Sequence, residues 1–149
     1  MQQSCILIGA PVDSGQRRAG CLMGPAAYRV AGLGTTLKAL GHEVEDRGDV
    51  ALPALRDAVS DNPAVHALAE TVGWTEALSA TVQGALSGGG FPVVMGGDHS
   101  LALGSVAGAA AHAHATGRPL FLLWLDAHSD FHTPVTTTTG NLHGTPVAY

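Results

Sequence analysis

The stretch PLFLLWLDAHSDFH, residues 119–132, decides how this chain is to be read. Seven apolar or aromatic residues run up to Asp126, and then Asp126, His128, Asp130 and His132 fall on alternate positions. A continuous apolar run of this length is the pattern of a strand buried on both faces, as in a parallel sheet. In an extended segment, residues i, i+2 and i+4 point the same way. The pattern therefore predicts a strand over 118–126 whose carboxyl end delivers Asp126, His128 and Asp130 to one point. Only 13% of the chain is charged, so a cluster of polar side chains there calls for a chemical reason.

Working outward, the same grammar recurs. CILIGAPV (5–12) and FPVVM (91–95) read as two further buried strands, and the more polar HEVEDRGDV (42–50) as an edge strand. Between them lie helical patterns. One starts at Pro25 and runs to a stop at Gly41. One spans 61–86, with Asn62 as cap, Pro63 in the first turn and Gly73 as a candidate kink or split point. One is the Ala-rich run from Ser100, stopped by Gly117. Strands that alternate with helices predict an α/β domain with a mostly parallel sheet. The whole chain, 1–149, reads as one such domain without internal repeats.

Composition excludes several classes. The chain has 149 residues, 46% of them hydrophobic, and a net charge of −5, which opposes a nucleic-acid partner. Cys5 and Cys21 form no C-x-x-C pair and read as small apolar side chains in a reducing compartment. No run reaches the length of a membrane span, and the N-terminus lacks a basic signal-peptide region. A soluble, cytoplasmic protein without membrane or nucleic-acid partners is the expectation. No strand is followed by G-x-G-x-x-G, which weighs against a dinucleotide binder.

In open parallel sheets, ligands bind beyond the carboxyl ends of the strands. Two predicted strands end in ligand-type residues: GGDHS (96–100) brings Asp98 and His99, and DAHSD brings Asp126, His128 and Asp130. Carboxylate oxygen with imidazole nitrogen suits a divalent first-row ion such as Mn, Zn, Fe or Ni, and the carboxylate excess tilts the set toward Mn. Asp98 is expected either as a ligand or as a residue that orients His99. His42, His66, His112 and His114 have no acidic partners in sequence and read as exposed or structural histidines.

GGDHS, DAHSD and TTTTGNLHG (136–144), with the opening GAPVDSGQRRAGCLMGPAAYRVAGL (9–33), closely resemble the successive signatures of the arginase (ureohydrolase) family. The resemblance implies a three-layer α/β/α sandwich with an eight-stranded parallel sheet, in which the strands at 91–95 and 119–125 are not neighbours. It implies a dimanganese hydrolase that converts L-arginine to L-ornithine and urea through a metal-bridging hydroxide. His99, Asp126 and Asp130 would hold one Mn, and Asp126 and His128 the other. Asp130 would be catalytic as well as a ligand, and His143 would shuttle protons. His132, Thr137 and Thr139 would meet the substrate α-carboxylate, with Asn141 beside them. Two positions depart from the family pattern, His132 where Asn is usual and Thr139 where Ser is usual, although each keeps a hydrogen-bond donor.

Arginases also continue well beyond this length, with a later D-x-D pair. The expectation is therefore an arginase-like N-terminal half, incomplete at its C-terminus after about four strands. Such a piece is expected to be inactive alone and to oligomerise when complete. The alternatives are another ureohydrolase, agmatinase or guanidinobutyrase, or a non-catalytic metal-binding fragment.

Overall fold

The computed structural model describes residues 2–149. Its centre is strand β1, Ser4–Ala10, in which every residue after Ser4 is buried. The strand is apolar throughout because it is enclosed on both edges as well as both faces. On one edge lies β2, Glu43–Asp49, and on the other β3, Phe91–Gly96, both parallel to it, giving the order β2-β1-β3. β2 occupies the edge that its polar sequence predicts.

Four helices cover this sheet: α1 Gly24–Val30, α2 Leu33–Ala39, α3 Leu68–Ser87 and α4 Leu101–Ala115. The alternation of β1 sorts them into layers. Ile6, Ile8, Ala10 and Val12 pack with Trp74, Leu78, Val82 and Ala85 of α3 to form the main core. On the other face, α2 lies so close that a Cβ at Gly34 would stand 3.5 Å from the Leu7 side chain. The result is helix, sheet, helix. α3 and α4 touch through glycines: a Cβ at Gly104 would lie 2.6 Å from the Thr75 carbonyl and 2.7 Å from Leu78 Cβ.

The structure corrects three expectations. The predicted helix from Pro25 to Gly41 is two helices, because Gly32 adopts φ 83° between them. The predicted helix from 61 begins at Leu68 instead, behind Ala67 at φ 48°, and runs unbroken through Gly73. Gly73 is small for a different reason, since Leu52 and Leu55 pack over it. The largest correction concerns residues 118–125, which form no strand. Among the described residues none pairs with this segment, so the sheet has three strands rather than about four. Phe121, Leu123 and Leu125 are exposed in consequence. An apolar run specifies burial, but a strand also needs a neighbour to take its N–H and C=O groups.

Among the described residues, no helix is long and apolar enough to cross a membrane. Both cysteines are free, Cys5 buried within β1 and Cys21 half-buried in the one-turn helix Cys21–Met23.

Two stability outcomes follow from this packing. Gly104→Val should lower the unfolding free energy by about 1–3 kcal/mol through overpacking, read by thermal or urea melts. The second concerns Arg29, whose guanidinium grips Asp46 through two hydrogen bonds of 2.8 and 3.0 Å and Asp49 through one of 2.6 Å. The Arg29 partner holds the Asp46 carboxyl below its ordinary value of 3.8. A depressed folded-state pKa gives stability that is present above 3.8 and is lost as the pH falls through the folded value. The side chains are partly exposed, so the contribution is under about 1 kcal/mol. Asp46→Asn should therefore destabilise at pH 7 and make little difference below the folded pKa of Asp46, as measured by melts across pH.

Candidate active site

β1 and β3 continue to pair past their ends, and this builds the floor of the site. Gly97 N–H donates to Ala10 O at 2.9 Å, and Asp98 N–H donates to Val12 O at 2.8 Å. A Cβ at Gly97 would overlap the Val12 backbone, so glycine is required for the approach. Asp98 is buried, and its two oxygens accept from Gly15 N–H and Ser100 N–H, each at 2.8 Å. It fastens the 13–16 loop to the start of α4 and makes no hydrogen bond to the His99 side chain, so it bears on His99 only through the backbone of the turn they share. Negative charge at a helix N-terminus is favourable in its own right.

His99 then stands over the site. Its Nε2 is buried and has no hydrogen bond, yet it lies 3.1 Å from Asp130 Oδ2 and 3.7 Å from Asp126 Oδ2. One ligand atom from each of His99, Asp126 and Asp130 falls within 4.8 Å of the other two. Two carboxylates held this closely repel unless a cation or proton lies between them. An unpartnered imidazole nitrogen aimed at two carboxylate oxygens is a donor set that could hold a metal ion, and its mix of nitrogen and carboxylate oxygen fits a divalent first-row ion.

The convergence is not produced by simple alternation. Asp130 has φ 49°, so the chain turns between Asp126 and Asp130. His128 lies outside the three-residue cluster with its side chain 84% exposed, and its Nδ1 turns back to Asp126 Oδ1 at 3.3 Å. Its backbone N–H donates to the same oxygen at 2.8 Å. This N–H, with help from the His128 ring, holds the Asp126 carboxyl below the ordinary value against a smaller desolvation penalty. Asp126 is thereby kept ionised, as a ligand must be.

A cavity of about 350 Å³ joins His99, Asp126, His128 and Asp130 to His132, Thr137, Thr139, Asn141 and His143. Every candidate residue drawn from the sequence except Asp98 thus lines one space. Thr137 is buried, and its Oγ1 lies 3.5 Å from Thr139 Oγ1 and accepts from Gly140 N–H at 3.2 Å. His132 N–H donates to Gly144 O at 3.1 Å, and His143 N–H donates to Gly15 O at 3.0 Å. The loop carrying His143 is therefore tied, through Gly15, to Asp98.

Sequence reasoning missed three supporting residues. Trp124 Nε1–H donates to Asp130 Oδ2 at 3.1 Å, and its ring meets that of His99 edge-on with centroids 5.1 Å apart. Asn62, expected as a helix cap, instead donates through Nδ2 to Pro134 O at 2.8 Å and Thr137 O at 2.9 Å. His66, expected to be exposed or structural, lies half-buried with its Nε2 3.0 Å from Asn141 Oδ1. The 62–66 segment is thus a seat for the threonine-rich loop. Gly140, at φ 74°, presses against Ala64 where a Cβ would overlap the Ala64 carbonyl. None of these contacts has a local sequence signal, since each joins residues far apart in the chain, apart from Trp124, whose place six residues before Asp130 was visible.

The Arginase family model matches residues 3–149. The chain belongs to the arginase family. It is similar to the arginase of Brucella melitensis, with 51% identity over 97% of this chain and 47% of the relative. It is similar to the mitochondrial arginase-2 of Bos taurus, with 43% identity over 98% of this chain and 40% of that one. Its fold is similar to the solved arginase of Bacillus caldovelox, with TM-score 0.85 and 38% identity over 99% of this chain and 48% of the other. An Entamoeba histolytica arginase solved in complex with L-ornithine matches with TM-score 0.81 and 27% identity over 99% of this chain and 50% of that one. The chain spans about half the length of the curated relatives it matches.

The bracing by Trp124 yields a measurable outcome. Trp124→Phe keeps an aromatic ring beside His99 but removes the donor to Asp130, and divalent-ion affinity should fall about 10-fold or more, as for other residues that orient metal ligands. Isothermal titration with Mn²⁺ checks this, and an affinity equal to that of the unaltered protein would show that Trp124 plays no such part.

Proposed function

We propose that these residues serve a dimanganese ureohydrolase that converts L-arginine to L-ornithine and urea. The observation that supports this best is that His99, Asp126 and Asp130 converge in the same cavity as the hydroxyl and amide groups of Thr137, Thr139 and Asn141. A guanidinium carbon is a poor electrophile, so its hydrolysis needs an activated water. Manganese held by His99, Asp126 and Asp130, with His128 joining through Asp126, would supply that activation by lowering the pKa of water.

The chain's own residues do the rest. The carboxylates of Asp126 and Asp130 would offset part of the positive charge of the manganese ions and so lessen their repulsion of a cationic guanidinium. His132, Thr137, Thr139 and Asn141 offer donors to the α-carboxylate and so fix the other end of the substrate. Water adds to the guanidinium carbon, the bond to the ornithine nitrogen breaks, and that nitrogen takes up a proton as urea leaves. His143 delivers this proton, a role suited to an imidazole whose ordinary pKa is near neutrality. The activity is proposed for a protein of arginase length and in oligomeric form, to which residues 1–149 contribute this half of the site.

The experiment measures urea release by Mn-loaded protein from L-arginine and from agmatine, which lacks the α-carboxylate. Residues 1–149 are assayed alone and together with the C-terminal half of a related arginase. The expected result is little urea from the chain alone, restoration by the added half, and preference for arginine. His143→Ala in the restored enzyme should lower turnover about 100-fold or more while Mn content stays the same. Equal use of agmatine would overturn the carboxylate contacts, and loss of Mn in the His143 variant would make that residue a ligand instead of a proton carrier.

A further inference from the structure

Asn141 reaches the cavity with an amide that offers two faces, a carbonyl oxygen that repels a carboxylate and an NH₂ that binds one. The two faces exchange by a flip about the last side-chain bond, so something must select between them. In this structure the Oδ1 atom is taken: it lies 3.0 Å from His66 Nε2, and an imidazole nitrogen facing a carbonyl oxygen is the N–H donor. Among the described residues, no hydrogen bond engages the Asn141 NH₂, and Asn141 is one of the residues that line the cavity. Its backbone N–H is occupied separately, donating to Thr139 Oγ1 at 3.3 Å.

His66 is itself held in place. It sits immediately before Ala67, whose left-handed φ of 48° turns the chain into α3. The preceding residues are fixed on the threonine-rich loop by Asn62, and Arg17 Nη2 donates to Ala64 O at 3.0 Å. A rotation of the imidazole away from Asn141 therefore has to work against a seat that is already bonded at several points.

We propose that His66 is a positioning residue for the carboxylate-binding end of the pocket. By holding Asn141 Oδ1 it turns the Asn141 NH₂ toward the ligand and so sets the preference for substrates that carry an α-carboxylate. The inference rests on the reading of the pocket as a site for an amino-acid guanidino substrate. It adds a residue that touches no substrate and lies 75 positions from the side chain it controls. Without His66 the amide is free to present either face, and binding of a carboxylate then carries the cost of ordering it.

The test uses His66→Phe, which keeps a planar ring and removes the donor, and His66→Gln, which restores an N–H at about the same reach. Two measurements are made. The first follows the Asn141 side-chain amide by ¹⁵N NMR in ligand-free protein, with the α3 backbone amides as the folding control. The second compares L-ornithine with putrescine, its counterpart lacking the carboxylate, by calorimetry on the Mn-loaded protein completed to arginase length. In His66→Phe the Asn141 NH₂ signals should move, ornithine affinity should fall about twofold or more, the cost of selecting one of two open amide faces, and putrescine affinity should stay unchanged. His66→Gln should recover both. Asn141 signals identical in His66→Phe and the unaltered protein, or an unchanged ornithine-to-putrescine ratio, overturns the proposal. If the unaltered protein itself shows no preference for ornithine, the proposed substrate is wrong, and the Asn141 signals alone then decide whether His66 holds the amide.

Discussion

A single buried carboxylate, Asp98, ties together the parts that the site needs. One oxygen takes Gly15 N–H, the other takes Ser100 N–H, and Gly15 in turn accepts His143 N–H. Three segments that are remote in sequence are therefore linked through Asp98 and its partner Gly15: the loop after β1, the start of α4, and the Gly-flanked loop of His143. A Cβ at Gly15 would crowd Asp98 Oδ1 at 2.5 Å, so the join also fixes the residue type of its partner. Removing a buried acceptor that serves two N–H groups would leave both unsatisfied, a cost far larger than the loss of an average hydrogen bond. His99 is placed by being the next residue in the chain, and it inherits the rigidity of that turn.

The sequence was most readable where one physical demand acts alone. β1 is a continuous apolar run because it is enclosed. The structure puts β1 and β3 within a residue or two of the expected bounds, but β3 is an edge strand and mostly half-buried, not the fully buried strand its apolar run predicts. β2 is polar, largely exposed and on an edge, as its sequence predicts. The ligand-type residues were readable because their chemistry is rare in so weakly charged a chain. Reading failed where a residue had two possible employers. Asn62 followed by Pro63 is good helix-start chemistry, but the Asn62 amide is used by the carbonyls of Pro134 and Thr137, and the helix starts later. His66 has no acidic neighbour in sequence, and its partner is an amide in a distant loop.

The segment at 118–125 shows a different limit. Its apolar character was read correctly, but a strand is a relation between two segments, and among the described residues the second one is missing. Its carboxyl end is nevertheless held: Asp130 is buried, and it is bonded by Trp124 and approached by His99. The cluster is thus anchored on one side by the well-packed β1–β3 floor and on the other by a run whose backbone N–H and C=O groups lack a ladder. Exposed apolar runs of this kind are surfaces on which chains associate.

Trp124 gives this arrangement a built-in optical signal. The protein has two tryptophans, and the other, Trp74, is buried against β1 in the main core, away from the candidate ligands. The indole of Trp124 touches both an imidazole and a carboxylate of the cluster. Any ion that draws His99 and Asp130 to itself changes the electric field and the hydrogen bond at that indole, and with them its emission colour and intensity. With Trp74 replaced by Phe, the remaining fluorescence would report on the occupancy of the centre directly, without a label and without a substrate.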